Sequence, residues 1–250
     1  MPICVKGEVT QMTKHEVRDI AYCVMGVVFD IHRELGVLFD EIVYKKALMK
    51  RVNQSQSEVE IEVSLHDFTK SFYIDMIVSR GAVFELKAVD NLNASHEGQL
   101  LNYLLLTDMN HGKLVNMRPG SVEHKFVNNA LPRARRICFT VEDSAWRSTA
   151  GFGMAEKSLV EEMVRDWGTA LSRSLYEEAI VHFLGGPEAV FGWTPVTLDG
   201  VLIARQPMLL CARGIGLKIT AFNDNMTSYY NNLEKCLHNT NLQAIQWVNI

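Results

Sequence analysis

The second half of this 250-residue chain repeats the first, and that repetition constrains its fold more than any other feature. Shifted by about 133 residues, Val63–Met117 lies on Val196–Ile250 without a gap, and about a fifth of the 55 pairs are identical. Leu65/Leu198, Arg80/Arg213, Gly81/Gly214, Leu104/Leu237, Thr107/Thr240 and Asn116/Asn249 are among them. One residue of slippage upstream matches Val43-Tyr44-Lys45-Lys46-Ala47-Leu48 with Leu175-Tyr176-Glu177-Glu178-Ala179-Ile180. A gap-free match over a whole structural unit points to duplication.

Periodicity shows what is duplicated. Val17, Ile20, Ala21, Val24, Val27, Val28 and Ile31 recur at helical spacing from about residue 15 to 35, and Gly36 follows as a stop signal. A second helix is predicted over about 39–52. Val59–Leu65, Phe72–Val78 and Ala82–Val89 read as strands, the last two joined by a tight turn at Ser79-Arg80-Gly81. Asn93 can cap a helix over Ala94–Thr107; Lys113–Met117 reads as a strand, and Arg136–Val141 as one more. The order α-α-β-β-β-α-β predicts an α/β fold with a mixed sheet flanked by helices.

A hydrophobic content of 48% with 22% charged residues is that of a globular protein, and no apolar run is long enough to span a bilayer. The five cysteines (Cys4, Cys23, Cys138, Cys211 and Cys236) form no CxxC pair, so neither a disulfide framework nor a zinc or iron–sulfur site is expected. The first residues lack a secretory signal, and a reduced, cytoplasmic protein is expected. A formal charge of −4 is no footprint of a general nucleic-acid binder. The basic groups Lys45, Lys46, Lys50, Arg51 and Arg133, Arg135, Arg136 gain meaning only if something else points to a phosphate substrate.

The hairpin around Arg80 supplies that pointer. With the turn centred there, Asp75 falls opposite Glu85, and such facing side chains have Cβ atoms about 4.5–5.5 Å apart. Two carboxylates so placed need a shared proton or a cation. Lys87, two residues on, shares the face of Glu85, while Phe84, Leu86 and Ala88 line the other. Two acids and a lysine on one face suit Mg²⁺, a hard cation that binds through one or two carboxylates and keeps waters and substrate phosphate. A solvent-facing ion pair is the competing reading. Gln99 and Tyr103 share a face of the next helix, and Glu41 and Tyr44 lie three apart near the start of the second.

These residues carry a resemblance. Asp75…Glu85-Leu86-Lys87 resembles the PD-(D/E)XK nuclease signature, and Gln99-Leu100-Leu101-Asn102-Tyr103 resembles the QxxxY motif of its RecB-type branch. Together with Leu35-Gly36…Glu41-Ile42-Val43-Tyr44, the ordered set over about residues 14–142 is similar to the mostly bacterial GxxExxY proteins of that superfamily. One departure is that the glycine naming the family falls on Leu38.

The resemblance implies a metal-dependent nuclease using Mg²⁺ (or Mn²⁺), with Asp75, Glu85 and Glu41 as the metal ligands. Lys87 would orient or help deprotonate the attacking water, and Gln99 and Tyr103 would steady Lys87 or contact the DNA backbone. Tyr44 would pack behind Glu41, and His96 and Glu97 match the motif as helix-start residues. DNA is the implied partner. A non-catalytic nucleic-acid-binding or scaffolding protein on the same fold, and an RNA or other phosphate-ester hydrolase, are the alternatives.

The fold class expected is two tandem restriction-endonuclease-like α-β-β-β-α-β units, the second degenerate. Residues 1–142 would form the nuclease-like domain, 143–157 a linker and 158–250 the repeat. The offset maps Asp75 to Met208, Glu85 to Lys218, Lys87 to Thr220, Gln99 to Asn232, Tyr103 to Cys236, and Glu41 near Arg173. With no carboxylate left, the repeat should bind no metal. It would serve as an internal pseudo-dimer partner packed on the first half, with a homo-oligomer also open.

Overall fold

The computed structural model describes residues 2–148, 153–221 and 224–250. It is a mixed α/β protein with two sheets, divided into two units, Met1–Cys138 and Phe139–Ile250. Part of the expected 143–157 linker, residues 149–152, lies outside the described residues.

In the first unit a short strand β1 (Ile3–Val5) precedes helices α1 (Lys14–Leu35) and α2 (Glu41–Arg51). Thr13 and Glu16 close a capping box that starts α1, satisfying backbone N–H groups that the first turn leaves unpaired. Its apolar stripe (Val17, Ala21, Val24, Val28, Ile31) packs with Tyr44 and Leu48 of α2 against Met76, Phe84, Leu86 and Val115 of the sheet. The helices end at Gly36 (φ 67°) and Val52.

Strands β2 (Ser55–Leu65), β3 (Phe68–Val78) and β4 (Ala82–Lys87) follow as an antiparallel meander. Helix α3 (Ala94–Thr107) then crosses over to β5 (His111–Asn116), which pairs parallel to β4, and β6 (Glu123–Asn128) closes the edge. The order across the sheet is β1-β2-β3-β4-β5-β6. A Cβ on Gly112 of β5 would lie 2.9 Å from Leu100 Cδ1, so glycine is what lets α3 settle this closely on the strand.

The β3–β4 turn at Ser79-Arg80-Gly81 has the register the sequence predicts: Val78↔Ala82, Ile77↔Val83, Met76↔Phe84. Ser79 and Arg80 adopt positive φ (49° and 67°), and a Cβ on Gly81 would clash with Met12 and the Thr10 carbonyl. At the end of the unit the structure corrects the sequence reading. Arg136–Val141 is no strand. Residues Arg133–Arg136 form a short helix, α4, begun at Pro132, whose fixed φ suits a helix start, and the last strand is β6 upstream. Arg136, 1% exposed, donates from Nη2 to the Leu105 carbonyl (2.6 Å) near the end of α3, a place where a cation is favoured.

In the second unit come α5 (Met154–Trp167), α6 (Arg173–Phe183), a single turn α7 (Pro187–Val190), β7 (Phe191–Leu198), β8 (Val201–Ala212), β9 (Ile215–Thr220), α8 (Met226–His238) and β10 (Ala244–Asn249). The sheet order is β10-β9-β8-β7, antiparallel except for the parallel β9–β10 pair. The β2–β5 stretch has the same sense of pairing. Several local bonds also coincide at the offset positions. The Tyr44 hydroxyl donates to the Gly36 carbonyl, and that of Tyr176 to the Gly168 carbonyl. Thr107 Oγ1 donates to the Tyr103 carbonyl and Thr240 Oγ1 to that of Cys236, each at 2.8 Å. The N–H of Met117 reaches the Lys87 carbonyl, and that of Ile250 the Thr220 carbonyl, each again at 2.8 Å. Among the described residues, no helix is long and apolar enough to cross a membrane.

Candidate active site

Asp75 stands on β3 and Glu85 and Lys87 on β4, on the sheet face opposite the α1–α2 core. All three are buried, at 6%, 0% and 9% exposure. The β3–β4 ladder ends at Met76↔Phe84, one step before the two acids. There the backbone N–H of Leu86 turns to the Asp75 side chain, donating to Oδ2 at 2.8 Å. Two like charges side by side are unfavourable, and the aspartate gains a fixed donor in place of a ladder bond.

Lys87 Nζ donates to Glu85 Oε1 at 2.5 Å. Glu85 Oε2 is buried with no hydrogen-bond partner. Burial first, and then the neighbouring Asp75 charge, push Glu85 up to about 7, while Lys87 and Lys45 pull it back. An acid in that state is poised near neutrality, as general acids and bases in active sites are.

Helix α2 supplies a residue that sequence reasoning placed only in a basic surface group. Lys45 reaches across from α2 and its ammonium bonds Asp75 Oδ1. The same ammonium lies 2.9 Å from Glu41 Oε1 and 3.8 Å from Glu58 Oε1. Burial lowers the affinity of this ammonium for its proton, but the bonds to Asp75 and Glu41 outweigh it and hold Lys45 above the ordinary lysine range. Glu41 therefore joins the site through Lys45. Glu58 on β2 was also missed; it adopts a left-handed backbone (φ 51°) that only the structure reveals. The i, i+4 spacing of Glu41 and Lys45 was the one signal available beforehand.

From α3, Gln99 Nε2 donates to the Tyr103 hydroxyl at 2.9 Å. Tyr103 packs edge-on against Phe72 and is pushed up to about 12 by burial, with Glu85 and Asp75 adding to the effect against the Gln99 bond. The hydroxyl thus stays protonated in the field of the two acids. Tyr44 is fully buried and holds the loop before Glu41 in place, accepting from Phe39 N–H (3.3 Å) and donating to Gly36. His96 Nδ1 accepts from the Asn93 N–H within the α3 capping box, and Glu97 pairs with Lys125 (2.8 Å). Leu38, where the GxxExxY glycine would fall, is 85% exposed and has no positive φ.

Asp75 and Glu85 offer carboxylate oxygens, the ligand type that Mg²⁺ or Mn²⁺ favours, and the unpartnered Glu85 Oε2 is a buried oxygen that a cation would satisfy. Among the described residues no group of three or more His, Cys, Asp or Glu side chains is placed to hold a metal ion. The residues present fit a site with two protein ligands.

At the offset positions of the second unit the arrangement differs. Met208 is buried, and Arg173 Nε lies 3.7 Å from Glu177. Thr220 Oγ1 donates to Asn249 Oδ1 (2.7 Å) and accepts from Trp247 Nε1 (2.8 Å).

Residues 18–127 match the sequence model of the PD-(D/E)XK nuclease superfamily. No curated protein matches the chain. Among solved structures, one titled "Crystal structure of SSO0001" is similar at 20% identity and a TM-score of 0.30. That match covers 48% of this chain and 61% of that one, less than two thirds of its length.

Proposed function

We propose, from the PD-(D/E)XK superfamily domain at residues 18–127 and the geometry around it, that the first unit hydrolyses phosphodiester bonds of DNA with a divalent metal ion. The observation that supports this most is Glu85 Oε2, a buried carboxylate oxygen without a partner beside a second buried acid and a lysine. Asp75 and Glu85 would hold Mg²⁺ or Mn²⁺. When bound, the ion supplies Lewis-acid charge at the scissile phosphate and a more acidic water.

The chain's own groups do the rest. Lys87 Nζ orients the attacking water and stabilises the negative charge that builds on the phosphoryl oxygens. The water oxygen bonds to phosphorus as one P–O ester bond breaks, and the proton lost by water ends on the leaving alkoxide. Tyr103, fixed by Gln99, presents a protonated hydroxyl to the same charge field. The four-motif pattern supports a GxxExxY-type member, and the offset bonds support the second unit as a degenerate copy with a structural or substrate-binding role.

A second reading, a non-catalytic nucleic-acid-binding or scaffolding protein, draws on one observation: no three-ligand group occurs among the described residues. Incubating wild type and Asp75→Ala with linear, circular, single- and double-stranded DNA plus Mg²⁺ or Mn²⁺ separates the two. Cleavage by the wild type alone is the expected result. Activity that survives Asp75→Ala refutes the site, and no cleavage by either protein favours the scaffold.

A further inference from the structure

We infer that the Lys45 ammonium is a resident cation: it takes the place a second metal ion would need, so the site holds one divalent ion, and Glu41 faces the ammonium and is no ligand of that ion. This rests on the nuclease reading above.

The ammonium is held by Asp75 Oδ1 and Glu41 Oε1, with Glu58 at 3.8 Å, and its side chain is only 17% exposed. Carboxylates from α2, β2 and β3 converge on this one ammonium, which sits among them as a compact point charge. The oxygens are already apportioned. Asp75 Oδ2 serves the Leu86 N–H, Glu85 Oε1 serves Lys87, and Glu85 Oε2 alone is unpartnered. A carboxylate oxygen has two lone pairs, so Asp75 can still share its oxygens with an ion lying toward Glu85. Glu41 faces Lys45 instead.

Charge agrees with this. With their acids ionised, Asp75, Glu85, Glu41 and Glu58 against Lys45 and Lys87 leave a formal surplus of two negative charges. One divalent ion neutralises that surplus. A second would leave an excess positive charge in a site where every group but Glu58 is largely withdrawn from water, and the low local dielectric penalises it.

Calorimetric titration of the full-length chain with Mn²⁺ tests the inference. The wild type should bind one Mn²⁺ per chain, and Glu85→Gln should abolish the signal. Glu41→Gln should leave the Mn²⁺ affinity within about threefold, well short of the roughly 10- to 100-fold that disturbing even a second-sphere partner of a ligand can cost. Lys45→Gln should admit a second Mn²⁺, while Lys45→Arg, which keeps the charge, should still take one. If Lys45→Gln does not fold, the Glu41→Gln arm decides. Two Mn²⁺ per wild-type chain, a single Mn²⁺ in folded Lys45→Gln, or a Glu41→Gln loss matching that of Glu85→Gln overturns the resident-cation inference alone. A wild type with no Glu85-dependent Mn²⁺ binding overturns the metal reading itself.

Discussion

Lys87 Nζ lies 2.5 Å from Glu85 Oε1, and both groups are buried on one strand two residues apart. The pair is a unit: each charge is tolerable there because of the other. Replacing Lys87 with Met leaves the carboxylate buried without its counter-ion, a change that costs about 3 kcal/mol where such pairs have been broken. Glu85→Gln/Lys87→Met removes both charges and should recover more than half of that loss. Urea unfolding of the two single variants and the double at pH 8 measures the coupling. Strict additivity would show that the pair is not a unit.

The same pair gives stability a pH dependence. Glu85 titrates at about 7 in the folded protein against 4.5 for an ordinary glutamate. Between those values the folded state binds more protons than the unfolded one, so unfolding free energy falls as pH rises through the window. The metal-free Tm should therefore drop by several degrees between about pH 5 and 8. Glu85→Gln should flatten that slope, and Mn²⁺ at the upper end should restore the Tm by binding the folded state alone. A slope that persists in Glu85→Gln would assign the effect to another group.

Tyr44 and Tyr176 hold equivalent places, yet only the first lies behind a proposed site residue, Glu41. Tyr44 fixes Phe39 and Gly36 beside Glu41, and Tyr176 fixes Gly168. Each Tyr→Phe change should cost about 1 kcal/mol. Cleavage rate should fall severalfold in Tyr44→Phe and stay within twofold of wild type in Tyr176→Phe. Equal rate losses would tie the second unit directly to catalysis.

Leu38 differs from the GxxExxY glycine without any cost visible in the backbone, since its φ is not positive. Leu38→Gly should change stability by no more than about 1 kcal/mol, in the destabilising direction, through unfolded-state entropy. A gain in Tm would mean that the turn strains the leucine after all.

What the sequence made legible was local. Asp75, Glu85 and Lys87 follow from a three-residue turn and the two-residue period of a strand, which fix register and face without tertiary information. The limits of α3 follow from its Asn93 cap and its apolar spacing. Lys45 could not be placed in this way. Its head reaches β3 only because α2 docks at a particular angle, so beside Lys46, Lys50 and Arg51 it looked like one more surface cation. β6 was missed because it is an edge strand with one buried residue, Val127, and shows no apolar alternation. Arg136 was counted in a basic patch and expected to open a strand; it instead lies buried against a helix end, a contact set by tertiary packing.

The central claim stands or falls on Mn²⁺-dependent cleavage of end-labelled DNA by wild type and Glu85→Gln, each first shown by circular dichroism to be folded. The account predicts that the wild type cleaves, that chelation stops it, and that Glu85→Gln is slower by about a hundredfold or more. A folded Glu85→Gln protein that cuts at the wild-type rate would contradict it.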